Sequence, residues 1–288
     1  MARQFTWHPP TGNPIVLNDA AAGYRLQVEG TRGLSSPSYR FARSSYAWID
    51  GSHLDAVSAD EREVSLGIQV QAITEADFRT RWRALVRAFR PKAGDGVLRV
   101  ADEAGRVRAL SCRYVSGLEG DAAAEFAGNV GRAVVRLLAS DPWFYGEQKN
   151  LSRNLGAGVP FFPIFPMRLS PSVLQGRFTV DLSDADTETY PVWTITGPGS
   201  SVTLTNETTG KVIKVNRALA PLERLIIDTR PGAQSVRLGN GINVRDALAS
   251  DPAMWPLIEQ VNVVTAALAG ASNDSNIRGS YVPRYAGI

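Results

Sequence analysis

Histidine and cysteine, the side chains most often used for acid–base and thiol chemistry, are scarce in this sequence. There are two histidines, His8 and His53, and one cysteine, Cys112. A reactive thiol needs a neighbouring cation or a helix N-terminus to lower its pKa. Cys112 lies instead in Leu110-Ser111-Cys112-Arg113-Tyr114, a strand-like run, so a buried structural thiol is expected. His8 stands beside Pro9 and Pro10, and His53 lies in a Gly/Ser/Asp segment read as a loop; both are expected at the surface. No Gly-x-Ser-x-Gly elbow occurs. One cysteine excludes an internal disulfide framework and a Cys-rich metal site, and two histidines leave little room for a His-based one.

Other motifs fail on inspection. Gly197-Pro198-Gly199-Ser200-Ser201 lacks the third glycine of a dinucleotide loop and precedes a strand, so it reads as a β-turn. Asp181, Asp184, Asp186 and Glu188 match a calcium loop in charge only, without its turn glycine or distal glutamate; a solvated loop is expected. No catalytic residue, metal ligand or cofactor is expected. Asn150, Asn206 and Asn273 begin glycosylation-type triplets, read as chance matches. The consecutive Trp143, Phe144 and Tyr145 cannot all face inward from a strand. Trp193 is expected in a core, and Trp255 fits either a core or a surface.

One charged pattern is regular. Arg79, Arg83, Arg87 and Arg90 form a stripe opposite Phe78, Trp82, Leu85 and Phe89. Thr74 is the N-cap, Asp77 stands three residues on, and Pro91 ends the helix. The stripe is a solvated helix face or a contact with an acidic subunit or partner surface. It is the candidate interface site of the chain.

The remaining elements are strands. Tyr24, Leu26 and Val28 alternate with polar residues until Gly30. Val64, Leu66, Ile68, Val70 and Ala72 alternate with Ser65, Gly67, Gln69 and Gln71, giving a polar, uncharged face open to solvent or to a neighbouring subunit. Residues 97–100 and 106–115 flank Asp102-Glu103-Ala104-Gly105 as a hairpin. Residues 133–139 form a further apolar run. Phe161-Phe162-Pro163-Ile164-Phe165-Pro166 is apolar but proline-broken, and is expected to pack between domains or pair at an edge. Beyond it, short strand candidates recur at 177–181, 192–196, 202–205, 211–215, 225–228, 236–238 and 261–267. That spacing suggests a β-sandwich or jelly roll.

Bulk properties set the frame. The chain has 288 residues, 31 Lys+Arg against 28 Asp+Glu, and a net charge of +3, too balanced for a dedicated polyanion binder. No run approaches a membrane span, and the first residues lack the apolar core of a secretory signal, so folding in a cytoplasm is expected. The texture divides the chain into an N-terminal domain at 1–150, a linker at 151–163 and a C-terminal domain at 164–288.

The order of these parts resembles a known family. The helix is followed by Arg90-Pro91-Lys92-Ala93-Gly94-Asp95-Gly96, the hairpin, and Ala139-Ser140-Asp141-Pro142-Trp143-Phe144-Tyr145-Gly146. Then come Tyr190-Pro191-Val192-Trp193-Thr194-Ile195-Thr196-Gly197-Pro198, Thr205 to Gly210 and Leu225 to Thr229. Nearly the whole chain is similar to the distal tail proteins of long, non-contractile-tailed bacteriophages. The resemblance implies a mostly β fold: a tail-tube-like β-sandwich with one α-helix, then a galectin-like or jelly-roll β-sandwich. It implies a non-enzymatic virion protein, assembled in the host cytoplasm. It implies a hexameric ring between tail tube and tail tip or baseplate, with DNA passing through its channel unbound. Partners would be the tail-tube protein, the baseplate hub, and fibre or receptor-binding proteins. A sandwich with exposed aromatics leaves an alternative, a carbohydrate-binding protein for a cell-surface glycan.

Overall fold

The structure is a computed structural model of the chain. It describes residues 3–119, 126–127, 129–154, 159–162, 165–169, 173–249 and 253–288. The chain forms two units. The first runs to Glu147 and takes back Tyr285–Ile288; the second is Gln148–Arg284.

The first unit contains β1 (Gln4–His8), β2 (Ile15–Val16), β3 (Tyr24–Arg32), β4 (Tyr39–Ser44), β5 (His53–Ala59) and β6 (Arg62–Gln71). Then follow α1 (Glu75–Ala88), β7 (Gly96–Ala101), β8 (Val107–Ser116), β9 (Phe126–Ala127), β10 (Val130–Ala139) and β11 (Phe144–Tyr145). The main sheet has the order β2-β1-β7-β8-β10-β6-β3. Its turning point is β8, whose first part pairs with β7 and whose last part pairs with β10. Both halves of the sheet feed one core, because Trp7, Leu98 and Val100 share a cluster with Leu66, Ile68 and Leu137.

The helix covers that core as its periodicity predicts. Thr74 caps it by accepting from the Asp77 backbone N–H at 3.2 Å. Phe78, Leu85, Ala88 and Phe89 are buried. Trp7 stacks on Phe89 with ring centroids 4.7 Å apart and donates from Nε1 to the Ala88 carbonyl at 2.8 Å. A helix end is thus satisfied by a strand side chain.

Two sequence readings need correction in this unit. The strand begun at Tyr24 does not stop at Gly30: it runs to Arg32 with a register shift after Gln27. That irregular part folds back on β6, where Thr31 Oγ1 accepts from the Gly67 N–H at 3.1 Å and Gln27 donates to Gln69 at 3.2 Å. The polar face of β6 is therefore partly covered by its own chain. Next, His53 begins β5 rather than lying in a loop. β4 and β5 pair only with each other among the described strands.

The second unit contains β12 (Lys149–Asn154), β13 (Val159–Phe162), β14 (Phe165–Leu169), β15 (Val173–Asp181), β16 (Val192–Thr196) and β17 (Ser201–Asn206). It continues with β18 (Lys211–Val215), β19 (Arg224–Asp228), β20 (Ser235–Leu238), β21 (Val261–Ala269) and β22 (Asn276–Tyr281). A five-stranded sheet, β12-β22-β16-β19-β20, and a four-stranded sheet, β15-β21-β17-β18, enclose one apolar core. This is a sandwich of antiparallel sheets, with β16, β17 and β15 turning apolar residues inward at alternate positions. Trp193 and Trp255 meet in the core edge-to-face, 6.2 Å apart. Residues 151–154, read by composition as linker, extend β12, which pairs with β22. The proline-broken apolar segment forms a hairpin of β13 and β14, with Phe162 opposite Phe165; residues 163 and 164 lie outside the described residues.

Candidate functional site

The reactive residue types are placed structurally. Cys112 is buried in β8 and burial pushes its thiol up to about 12, so it stays protonated. His8 is half-buried in β1, and desolvation followed by Arg99 lowers its pKa. The acidic stretch makes local contacts. Asp181 accepts from the Ser183 hydroxyl and N–H, at 2.5 and 3.0 Å, and these bonds lower its pKa. Glu188 accepts from the Tyr190 hydroxyl at 2.8 Å. No group of three or more metal-ligating residues occurs among the described residues. Gly197–Gly199 is a turn held by paired backbone bonds between Gly199 and Leu219. Trp255 joins Trp193 in the core, and Phe144 turns inward between half-buried Trp143 and Tyr145.

Three exposed surfaces remain, two on the first unit. On α1, all four stripe arginines are exposed. Arg79 is tied to Glu75 at 2.6 Å, a solvated pair one helical turn apart. Arg83, Arg87 and Arg90 have no acidic partner among the described residues. The sequence signal for this face was direct, because helical spacing alone defines it.

The second surface is the β4–β5 hairpin. It exposes Tyr39, Phe41, Tyr46, Trp48, Ile49, Leu54 and Val57. Trp48 is fully exposed and adopts φ of 83°, a left-handed conformation unusual for a bulky residue. An isolated two-stranded hairpin is marginal in water. Apolar side chains clustered on one mark an interaction surface.

The third surface is the outward face of the five-stranded sheet in the second unit. It lines an open cavity of about 1080 Å³, with Asn150, Ser152, Thr194, Thr196, Arg224 and Arg278 among its residues. The structure brings these polar residues together because β22 and then β12, neither read as a strand from the sequence, extend the sheet beyond β16.

The architecture defines a class first: a two-unit antiparallel β protein whose distinctive features are exposed surfaces on rigid sheets. Comparison with known proteins then adds a domain match and a fold likeness. Residues 184–285 match the family described as siphovirus-type tail component, C-terminal domain. The chain also shares its fold with the Dit protein of phage SPP1, described as a hub adsorption apparatus paradigm in phages infecting Gram-positive hosts. That likeness has a TM-score of 0.66 at 18% identity and covers 98% of this chain and 99% of the other. A chain of the phage P2 baseplate in its activated conformation aligns at a TM-score of 0.50 and 9% identity, over 99% of this chain and 98% of that one. No curated protein matches the sequence. Residues 184–285 thus carry the match to the siphovirus-type tail component C-terminal domain, and the whole chain has the fold of SPP1 Dit. The resemblance read in the sequence therefore holds.

Proposed function

We propose that this chain is a structural subunit of a phage virion, forming a hexameric ring at the distal end of a long non-contractile tail. The ring joins the tail tube to the tail tip or baseplate and leaves a channel through which DNA passes unbound. The first unit builds the ring, and the second, a galectin-like sandwich, faces fibre or receptor-binding proteins. The protein assembles in the host cytoplasm and acts without catalysis.

The observation that carries this reading is the end-to-end fold likeness to SPP1 Dit, a tail hub protein, together with the tail-component domain at 184–285. Two surfaces support it physically. The β4–β5 hairpin presents apolar side chains that a neighbouring subunit would cover, and Arg83, Arg87 and Arg90 present exposed positive charge on α1. Closed rings need such heterologous contacts, one patch meeting a different patch on the next copy. Analytical sedimentation and negative-stain imaging of the purified chain test the proposal. Six-fold rings are the expected result. A chain that stays monomeric at all concentrations and is absent from tail particles would overturn it.

A further inference from the structure

The polar face of the second unit carries chemistry that ring assembly does not use. Strand register places Ser152, Arg278, Thr194, Ile226 and Arg237 in one row across the sheet. The adjacent row is Asn154, Asn276, Thr196 and Arg224. Alternation turns both rows away from the core, since Ile195, Leu225 and Ile277 between them are buried. The loop Asn273-Asp274-Ser275 and the exposed Leu222 complete the lining of the cavity.

The arginines of the two sheets differ in their partners. On the opposite sheet, Arg177 is bonded to Glu207 at 2.9 Å, and Glu207 also takes the Thr265 hydroxyl. That arginine is paired within its own face. On the cavity face, Arg224 and Arg278 have no acidic partner among the described residues. Asp274 is the one carboxylate of the lining, set against two guanidinium groups. The cavity is thus polar, concave and cationic.

The lining also selects among anionic ligands. It contains no aromatic ring, and its apolar side chains are Leu151, Val192 and Leu222. Protein interfaces anchor on buried aromatic and apolar groups, which this face lacks. Neutral sugars gain much of their affinity by stacking on aromatic rings, also missing. Amides and hydroxyls spaced across a sheet match the donors and acceptors of a polyhydroxylated ligand. A guanidinium fork matches a carboxylate or phosphate with two parallel bonds.

We propose that this face binds an acidic oligosaccharide, with Arg278 holding its carboxylate or phosphate and Ser152 and Thr194 taking its hydroxyls. The site is independent of ring formation, which the first unit performs in the reading above.

Calorimetric titration of the full chain tests this with oligogalacturonate, phosphomannan oligosaccharide, neutral maltoheptaose and poly-glutamate. Saturable binding of at least one acidic saccharide is expected, with Kd at or below about 1 mM. The carboxylated and phosphorylated probes distinguish which anion the site takes. Arg278→Ala should weaken binding about ten-fold or more, Thr194→Val should weaken it less, and Arg177→Ala should leave it unchanged. Sedimentation of Arg278→Ala should match the parent chain. Should Arg278→Ala misfold by circular dichroism, Thr194→Val decides the matter. No saturable binding of either acidic saccharide at about 10 mM would overturn the proposal. So would equal binding of poly-glutamate, which would mark an acidic-peptide surface, or retention of full affinity in both cavity variants.

Discussion

Glu119 shows how one side chain can hold a loop in the first unit. Its Oε2 accepts from the Gly117 N–H at 2.6 Å and its Oε1 accepts from the Tyr114 hydroxyl at 2.7 Å. The backbone bond from Gly117, then the Tyr114 bond, holds the carboxyl below its ordinary pKa. Burial first, and the bond to Glu119 second, push Tyr114 up to about 12. A carboxylate with a lowered folded-state pKa adds stability above its unfolded value and loses it as pH falls through the folded one. Glu119→Gln keeps the acceptor oxygen and removes the charge. It should melt below the parent at pH 7, with the gap closing from about pH 4.5 downward. Thermal melts across that range check it, and a gap independent of pH would show that charge is not the cause. At this scale sequence reading worked where alternation was clean: Leu110, Cys112 and Tyr114 all face the core, as their spacing predicts. The Glu119 contact was invisible, because it depends on a turn geometry that places a carboxylate under two donors.

Among the elements, the helix and the regular strands were legible, and two kinds of strand were not. β22 reads Asn-Ile-Arg-Gly-Ser-Tyr, and its central inward position is Gly279. The ring of Trp193 lies there, and a Cβ on Gly279 would come within 2.7 Å of it. The core is filled from the neighbouring strand, so the apolar alternation that marks a strand is broken. Without β22 the cavity face could not be assembled from sequence. The β4–β5 hairpin failed for another reason: it has no buried face, and apolar and polar residues are exposed alike. An element that exposes Trp48 in a left-handed conformation carries a cost of roughly 1–2 kcal/mol with no return inside its own unit. In the proposed ring, a neighbouring subunit covering the ring of Trp48 would supply the return. Trp48→Gly relieves the backbone and removes the ring, while the freer unfolded chain offsets part of the gain. The melting of the isolated chain should shift by less than about 1 kcal/mol, and ring formation should need about ten-fold more protein. Sedimentation across a concentration series, beside thermal melts, separates the two effects. Unimpaired ring formation by Trp48→Gly would remove the hairpin tip from the assembly contact.

At the scale of the molecule, the decisive feature is that the chain visits its first unit twice. Local composition divides the sequence by texture, and four residues returning at the far end leave no such mark. Their contacts are specific. Arg62, almost wholly buried, donates from Nη1 to the Gly33 carbonyl at 3.1 Å and from Nη2 to the Ala286 carbonyl at 2.5 Å. Its guanidinium also lies 5.0 Å from the Phe144 ring centroid. Arg108 stacks 4.0 Å over Tyr285 and donates to the Gly287 carbonyl. The Ile288 N–H donates to the Leu34 carbonyl at 3.1 Å. Removing residues 285–288 takes an acceptor from a buried cation, a loss of about 1.5–3 kcal/mol, and uncovers the core beside Tyr285. The first unit should therefore loosen while the second keeps its own closed core. Hydrogen exchange read by mass spectrometry on the chain ending at Arg284 distinguishes them. Peptides of β3, β6 and β8 should exchange faster, and those of β16, β19 and β21 should be unchanged. Equal acceleration in both units would mean that the returning residues stabilise the whole molecule, and no acceleration would mean that Arg62 finds another acceptor.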